Sequence, residues 1–187
     1  MTSADLFRRL ALLLDEAAIP YMLTGSFAGT VYGLGRSSQD LDLIIVADEI
    51  QIKKLFDLLP KNEFYSEPQS ALDACRRNSM FNIIDEVTGL KVDFIFRKKR
   101  PFSEGEFRRR KLAPVQDVQL FVVSPEDLVI AKLEWAKMGA SLRQIEDVTS
   151  ILKVRKDELD LAYIEQWVKE LALSEQYAAA RKAANLD

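Results

Sequence analysis

The strongest constraint on the fold is a change of hydrophobic period at Ser124. Before it, apolar and polar residues alternate in short runs bounded by turn residues, as in half-buried strands. After it, apolar residues recur every three or four positions, as in amphipathic helices. That order predicts an α+β fold. A small mixed β-sheet with flanking helices fills residues 1–123, and a helical subdomain over 124–187 packs on it as the other wall of a cleft. A chain of 187 residues that is 48% hydrophobic has room for one such core with an appended element.

Leu6, Leu10, Leu13 and Leu14 predict a first helix over 3–18 with Ser3 as its cap, and Tyr21–Thr24 a short strand. Gly25-Ser26 opens a second helical piece ending at Gly33 and Gly35. Leu41–Ala47 reads as a strand and Asp48–Leu59 as a helix stopped by Pro60. Ser79–Glu86 and Leu90–Arg97 form a hairpin about Thr88-Gly89, and Val118–Val123 a further strand. Ser124-Pro125-Glu126-Asp127 is a helix N-terminus, and helices are predicted over 125–138, 141–152, 157–172 and on to 184.

The sequence contains no histidine and a single cysteine, Cys75. Histidine-based nucleophilic and general-base catalysis is therefore excluded, as are disulfide frameworks and most zinc sites. Carboxylates and lysines must carry any chemistry. A bound metal should be a hard cation such as Mg²⁺ or Mn²⁺. The start of the chain reads as an amphipathic helix rather than a secretory leader, and no apolar run reaches the roughly 20 residues of a membrane span. The expected compartment is the cytoplasm, with no membrane partner.

Strand alternation puts Asp40 and Asp42 on one face, with Leu41, Leu43 and Ile45 on the other. Two like charges that close repel unless a cation lies between them. In Leu90–Phe96 the same alternation puts Asp93 with Lys91 and Ile95, opposite Val92, Phe94 and Phe96. On a neighbouring strand, Asp93 would complete three carboxylates on one sheet face, a set suited to two Mg²⁺ ions and a phosphate group. The simpler alternative is a solvent face that happens to be acidic. Gly25 lets backbone approach a ligand closely, and the Ser26 hydroxyl with the following N–H groups suits phosphate oxygens.

Gly25-Ser26, thirteen intervening residues, then Asp40-Leu41-Asp42-Leu43 resembles the signature of the DNA polymerase β-like nucleotidyltransferase superfamily. Asp93 in Lys-Val-Asp-Phe-Ile matches its third acid, and Arg36-Ser37-Ser38 resembles the Arg-x-Thr/Ser lead-in of small bacterial members. Ser124–Leu128, Lys132-Leu133, Arg143 and Glu146–Val148 are similar to the AbiEii-type branch, which includes toxins restrained by a cognate antitoxin protein. The resemblance implies transfer of a nucleoside monophosphate from an NTP to a hydroxyl. Asp40 and Asp42 would bind metal and bridge to the triphosphate, and Asp93 would bind the metal that activates the acceptor. Gly25 and Ser26 would hold the β- and γ-phosphates, with Arg36, Ser38 and Lys132 on the nucleotide. The rival is a non-catalytic binding module on the same fold.

Lys132 has Leu128, Val129, Trp135 and Ala136 three and four positions away, so its amine either snorkels past the core or points into a cleft. Asp147 either pairs with Arg143 one turn earlier or faces the nucleotide. From Arg97 to Lys111, eight basic groups (Arg97, Lys98, Lys99, Arg100, Arg108, Arg109, Arg110, Lys111) face only two acids, a net +6 in a chain whose total is −3. The stretch begins four residues after Asp93 and predicts a loop that binds an RNA acceptor. The alternatives are a loop whose arginines pair with acids of the helical half, and a small-molecule acceptor.

Overall fold

The computed structural model describes residues 2–35 and 40–186. Among them, the chain runs α1 (Ser3–Glu16), β1 (Tyr21–Thr24), α2 (Gly25–Val31), β2 (Asp40–Ile45), α3 (Glu49–Leu58), β3 (Phe64–Ser66), α4 (Pro68–Arg77), β4 (Met80–Asp85) and β5 (Lys91–Phe96). It continues through α5 (Pro101–Arg109), β6 (Lys111–Val115), β7 (Val118–Val122), α6 (Pro125–Gly139), α7 (Leu142–Arg155), α8 (Leu161–Glu170) and α9 (Ser174–Ala184). The fold is α+β, with one mixed seven-stranded sheet ordered β3-β4-β5-β2-β1-β7-β6 among the described residues. From Ser124 onward the described chain is helical.

Two pairings at the centre of the sheet fix the geometry that follows. β2 runs antiparallel to β1, with Thr24 opposite Asp42, and parallel to β5, with Asp42 opposite Asp93. Because side chains alternate, Leu41, Leu43, Ile45, Val92, Phe94 and Phe96 all turn to one face, where they are buried. Phe81 of β4 stacks on Phe94 at 4.9 Å, and Phe56 of α3 closes on Phe81 at 5.9 Å, so this face is the core. The opposite face carries the acids and looks towards α6.

Local chemistry explains where several elements start. Thr2, not Ser3, caps α1: its side chain accepts from the Asp5 N–H while the Asp5 carboxylate accepts from the Thr2 N–H, a reciprocal capping box. Asp48 and Gln51 do the same for α3, and Ser124 caps α6 through the Asp127 N–H. Three elements that pattern reading passed over, β3, α4 and β6, complete the sheet and its cover. The basic stretch is not a loop. It contains α5, which buries Phe102, Ser103, Glu106 and Phe107 on one side, and it runs into β6. No described helix is long and apolar enough to cross a membrane.

Candidate functional site

The open face of the sheet and the inward side of α6 form a cleft lined by Gly25, Ser26, Asp42, Lys132, Trp135 and Gln144, among others. Asp42 and Asp93 are direct register neighbours, and Asp40 lies one pleat along the same face. Asp93 is only 6% exposed, which rules out the solvent-face reading for it. Burial first, and then the charges of Asp93 and Asp40, pushes the Asp42 carboxyl up to about 6, against the opposing pull of Lys132 and Lys91.

Lys91 is the residue that sequence reading undervalued. Its Nζ lies 2.9 Å from Asp93 Oδ2 and 3.4 Å from Asp40 Oδ1, so an ammonium already stands between two of the acids. Its place two residues before Asp93 on the same strand face was the available signal. Asp93 Oδ1 is buried and has no hydrogen-bond partner among the described residues. Among those residues no three ligating side chains already converge on one point. The donor set nevertheless fits a hard divalent cation: carboxylate oxygens only, one of them buried without a partner, and an excess of negative charge that Lys91 and Lys132 only partly offset.

Gly25 sits at φ +67°, and a Cβ there would come within 1.9 Å of Asp42 Oδ2. Only glycine lets β1 turn into α2 this close to the acid. Gly25→Ala is therefore expected to cost about 1–3 kcal/mol in backbone strain and to displace the Asp42 carboxylate. Chemical denaturation measures this, and an unchanged midpoint would contradict the close approach.

On the opposite wall, Lys132 is 3% exposed and donates to Asp147 Oδ2 at 2.7 Å and to Gln144 Oε1 at 3.2 Å. The amine therefore points into the cleft rather than past the core. Asp147, 4% exposed on α7, reaches the cleft through Lys132, which makes it a residue that positions the amine. Arg36 and Ser38 lie outside the described residues.

Half of the basic stretch is spent on internal contacts, and two of its arginines pair with acids of the helical half, as in the loop-pairing alternative. Arg100 makes a bidentate pair with Glu134 of α6 at 2.7 and 2.5 Å. Arg109 donates to Asp127 and Glu126, each at 3.0 Å, and lies 4.0 Å above the Tyr163 ring. Asp127 is fully buried and also accepts from Tyr163 and Ser124, both at 2.7 Å, so it joins α5, α6 and α8. Arg110 stacks on Phe107 and Phe121. Lys98, Lys99, Arg108 and Lys111 remain exposed.

No family model matches the sequence, and no curated protein matches it significantly. Solved structures do. An antigenic nucleotidyltransferase-like protein from Paracoccidioides brasiliensis is 15% identical with a TM-score of 0.58, over 95% of this chain and 91% of its own. ANT(2'')-Ia in complex with adenylyl-2''-tobramycin is 13% identical with a TM-score of 0.57, over 95% of this chain and 99% of its own. JHP933 from Helicobacter pylori is 17% identical with a TM-score of 0.52, over 100% of this chain and 92% of its own. At these identities what is shared is the fold, and this chain folds as those three proteins do.

Proposed function

We propose that this chain is a metal-dependent nucleotidyltransferase that moves a nucleoside monophosphate from an NTP to a hydroxyl acceptor. One observation carries the reading: Asp42 and Asp93 sit side by side with Asp40 on one sheet face, across a cleft from a buried lysine whose charge reaches Asp42. Asp40, Asp42 and Asp93 would hold Mg²⁺ or Mn²⁺, which supplies charge neutralisation to the triphosphate and acidifies the acceptor hydroxyl. Gly25 and Ser26 line the same cleft and suit the β- and γ-phosphates, while Lys132 offers a point charge to the departing pyrophosphate. Gln144 and Asp147 keep the Lys132 amine in place. In the transfer, the acceptor oxygen bonds to the α-phosphorus as the bond to the bridging oxygen breaks. Pyrophosphate leaves with the electron pair, and the hydroxyl proton passes to Asp93.

A second reading keeps the finer resemblance to the AbiEii-type branch, with an RNA acceptor and a restraining partner protein. It is favoured by the four exposed cations Lys98, Lys99, Arg108 and Lys111, of which Lys98 lines a cavity that adjoins the cleft. RNA binding that weakens steeply with salt, and less steeply in a variant with these four changed to alanine, would support it.

The test is transfer itself. Incubation with each NTP labelled at the α-phosphate, with Mg²⁺, should release pyrophosphate and leave label on an acceptor, and Asp93→Asn or chelation should abolish both. NTP binding without turnover under all conditions would favour the non-catalytic module. Lys91 gives an independent check. Lys91→Met is expected to lower the melting temperature in chelator, because Asp40 and Asp93 lose their ammonium, and to enlarge the rise in melting temperature on adding Mg²⁺. A variant with the same response to Mg²⁺ as the parent would mean that lysine and metal do not share the space.

A further inference from the structure

Beside the cleft, and sharing Thr24, Ile95, Ala131 and Trp135 with it, a second cavity opens between β5, α5 and α6. Phe96, Phe102, Trp135 and Met138 give it apolar faces, and Arg97, Lys98, Arg100, Ser103, Glu106 and Glu134 line it with polar groups. Glu106 is 4% exposed, and its Oε2 is buried with no hydrogen-bond partner among the described residues. Arg97 Nε is buried in the same unmatched state. Arg97 and Glu106 thus line one cavity, and each has a buried polar atom that finds no partner among the described residues. Each costs stability while it stays unpaired, as groups arranged for a ligand do.

We infer that this cavity is the acceptor subsite, and that the acceptor is a small neutral polyhydroxylated molecule whose hydroxyls pair with Arg97 Nε and Glu106 Oε2. The inference rests on the nucleotidyltransferase reading above and names its acceptor class. A hydroxyl both donates and accepts, so neighbouring hydroxyls can satisfy both orphans at once. Burial, with the Asp127 charge second, pushes the Glu106 carboxyl up to about 8, so near neutral pH it keeps its proton and suits an uncharged partner. Arg97 and Lys98 on the same wall disfavour a polycation, and the rings of Phe96, Phe102 and Trp135 suit the carbon face of a small acceptor. Trp135 is 59% exposed and borders both spaces, where its ring can cover the acceptor as it meets the nucleotide. Atoms balance as in the transfer above: one acceptor hydroxyl gains the α-phosphoryl bond, pyrophosphate departs with the electron pair, and Asp93 takes the proton.

The experiment uses the full chain with Mg²⁺ and each α-labelled NTP, offering glycerol, myo-inositol and D-glucose as probes beside a twelve-nucleotide single-stranded RNA. Melting temperature with Mg²⁺ and NTP alone is read first, on the parent protein. The expected result is a nucleotide-dependent rise in melting temperature and label on at least one polyol. Glu106→Met should raise the KM for that polyol about tenfold or more, while Glu106→Gln, which keeps an oxygen and a donor, should stay within about threefold. Should Glu106→Met fail to fold, Arg97→Met takes its place with the same expectation. Label on RNA alone, label on no probe, or a polyol KM that Glu106→Met leaves unchanged would overturn the inference while the nucleotide reading stands. No response to any NTP would overturn both.

Discussion

Asp42→Asn is expected to abolish nucleotidyl transfer and, in chelator, to make the protein more stable. The parent carboxyl titrates near 6 in the fold against 3.8 when free, so its charged form is disfavoured by folding. That difference corresponds to about 3 kcal/mol at pH values above the folded pKa. The cost is fully present above about pH 7, shrinks as the pH falls through 6, and has vanished below the free value near 4. The gain from Asn should follow the same curve: largest at pH 8, absent at pH 4. Paired urea titrations across that range measure it. Loss of stability at pH 8 would make Asp42 a structural acid, and the site would lose its central member.

Lys132 should show the opposite pattern. Lysine and aspartate are both almost wholly buried, so Lys132→Met strips Asp147 of its ammonium inside the protein and is expected to cost about 3–5 kcal/mol. Replacing both partners, Lys132→Met with Asp147→Leu, should recover most of that stability, because an apolar pair removes the desolvation penalty together with the attraction. Affinity for NTP should still fall about tenfold or more in the double variant. That separation tells the structural half of the pair from the nucleotide-binding half. A double variant that binds NTP like the parent would remove Lys132 from the site.

What could be read from the sequence follows from how local each signal is. Asp40, Asp42 and Asp93 were legible because strand alternation is set by neighbouring residues, and one face of each strand is unmistakably apolar. That β5 would lie directly against β2, with Asp93 opposite Asp42, is a tertiary fact on which the alternation is silent. The basic stretch misled for the same reason. Its arginines look solvated in sequence because their partners, Asp127 for Arg109 and Glu134 for Arg100, come 18 and 34 residues later. The charge also hid a helix that Pro101 at its first turn, with Phe102 and Phe107 buried, supports. Likewise Asp147 could be matched in sequence only to Arg143, whereas its partner lies on the preceding helix. Glu106 carried no local signal at all, since its importance comes from an oxygen left unmatched by residues distant in the chain.

The central claim is that three acids and one lysine make a single site for metal and triphosphate. Its most direct test is thermal unfolding of the parent protein and Asp42→Asn, titrated with Mg²⁺, with each NTP, and with the two together. The expected result is a melting temperature that climbs with ligand concentration, furthest when Mg²⁺ and an NTP are both present, and much more in the parent than in the variant. An equal rise in the variant, or a flat response of the parent to every NTP with metal present, would contradict it.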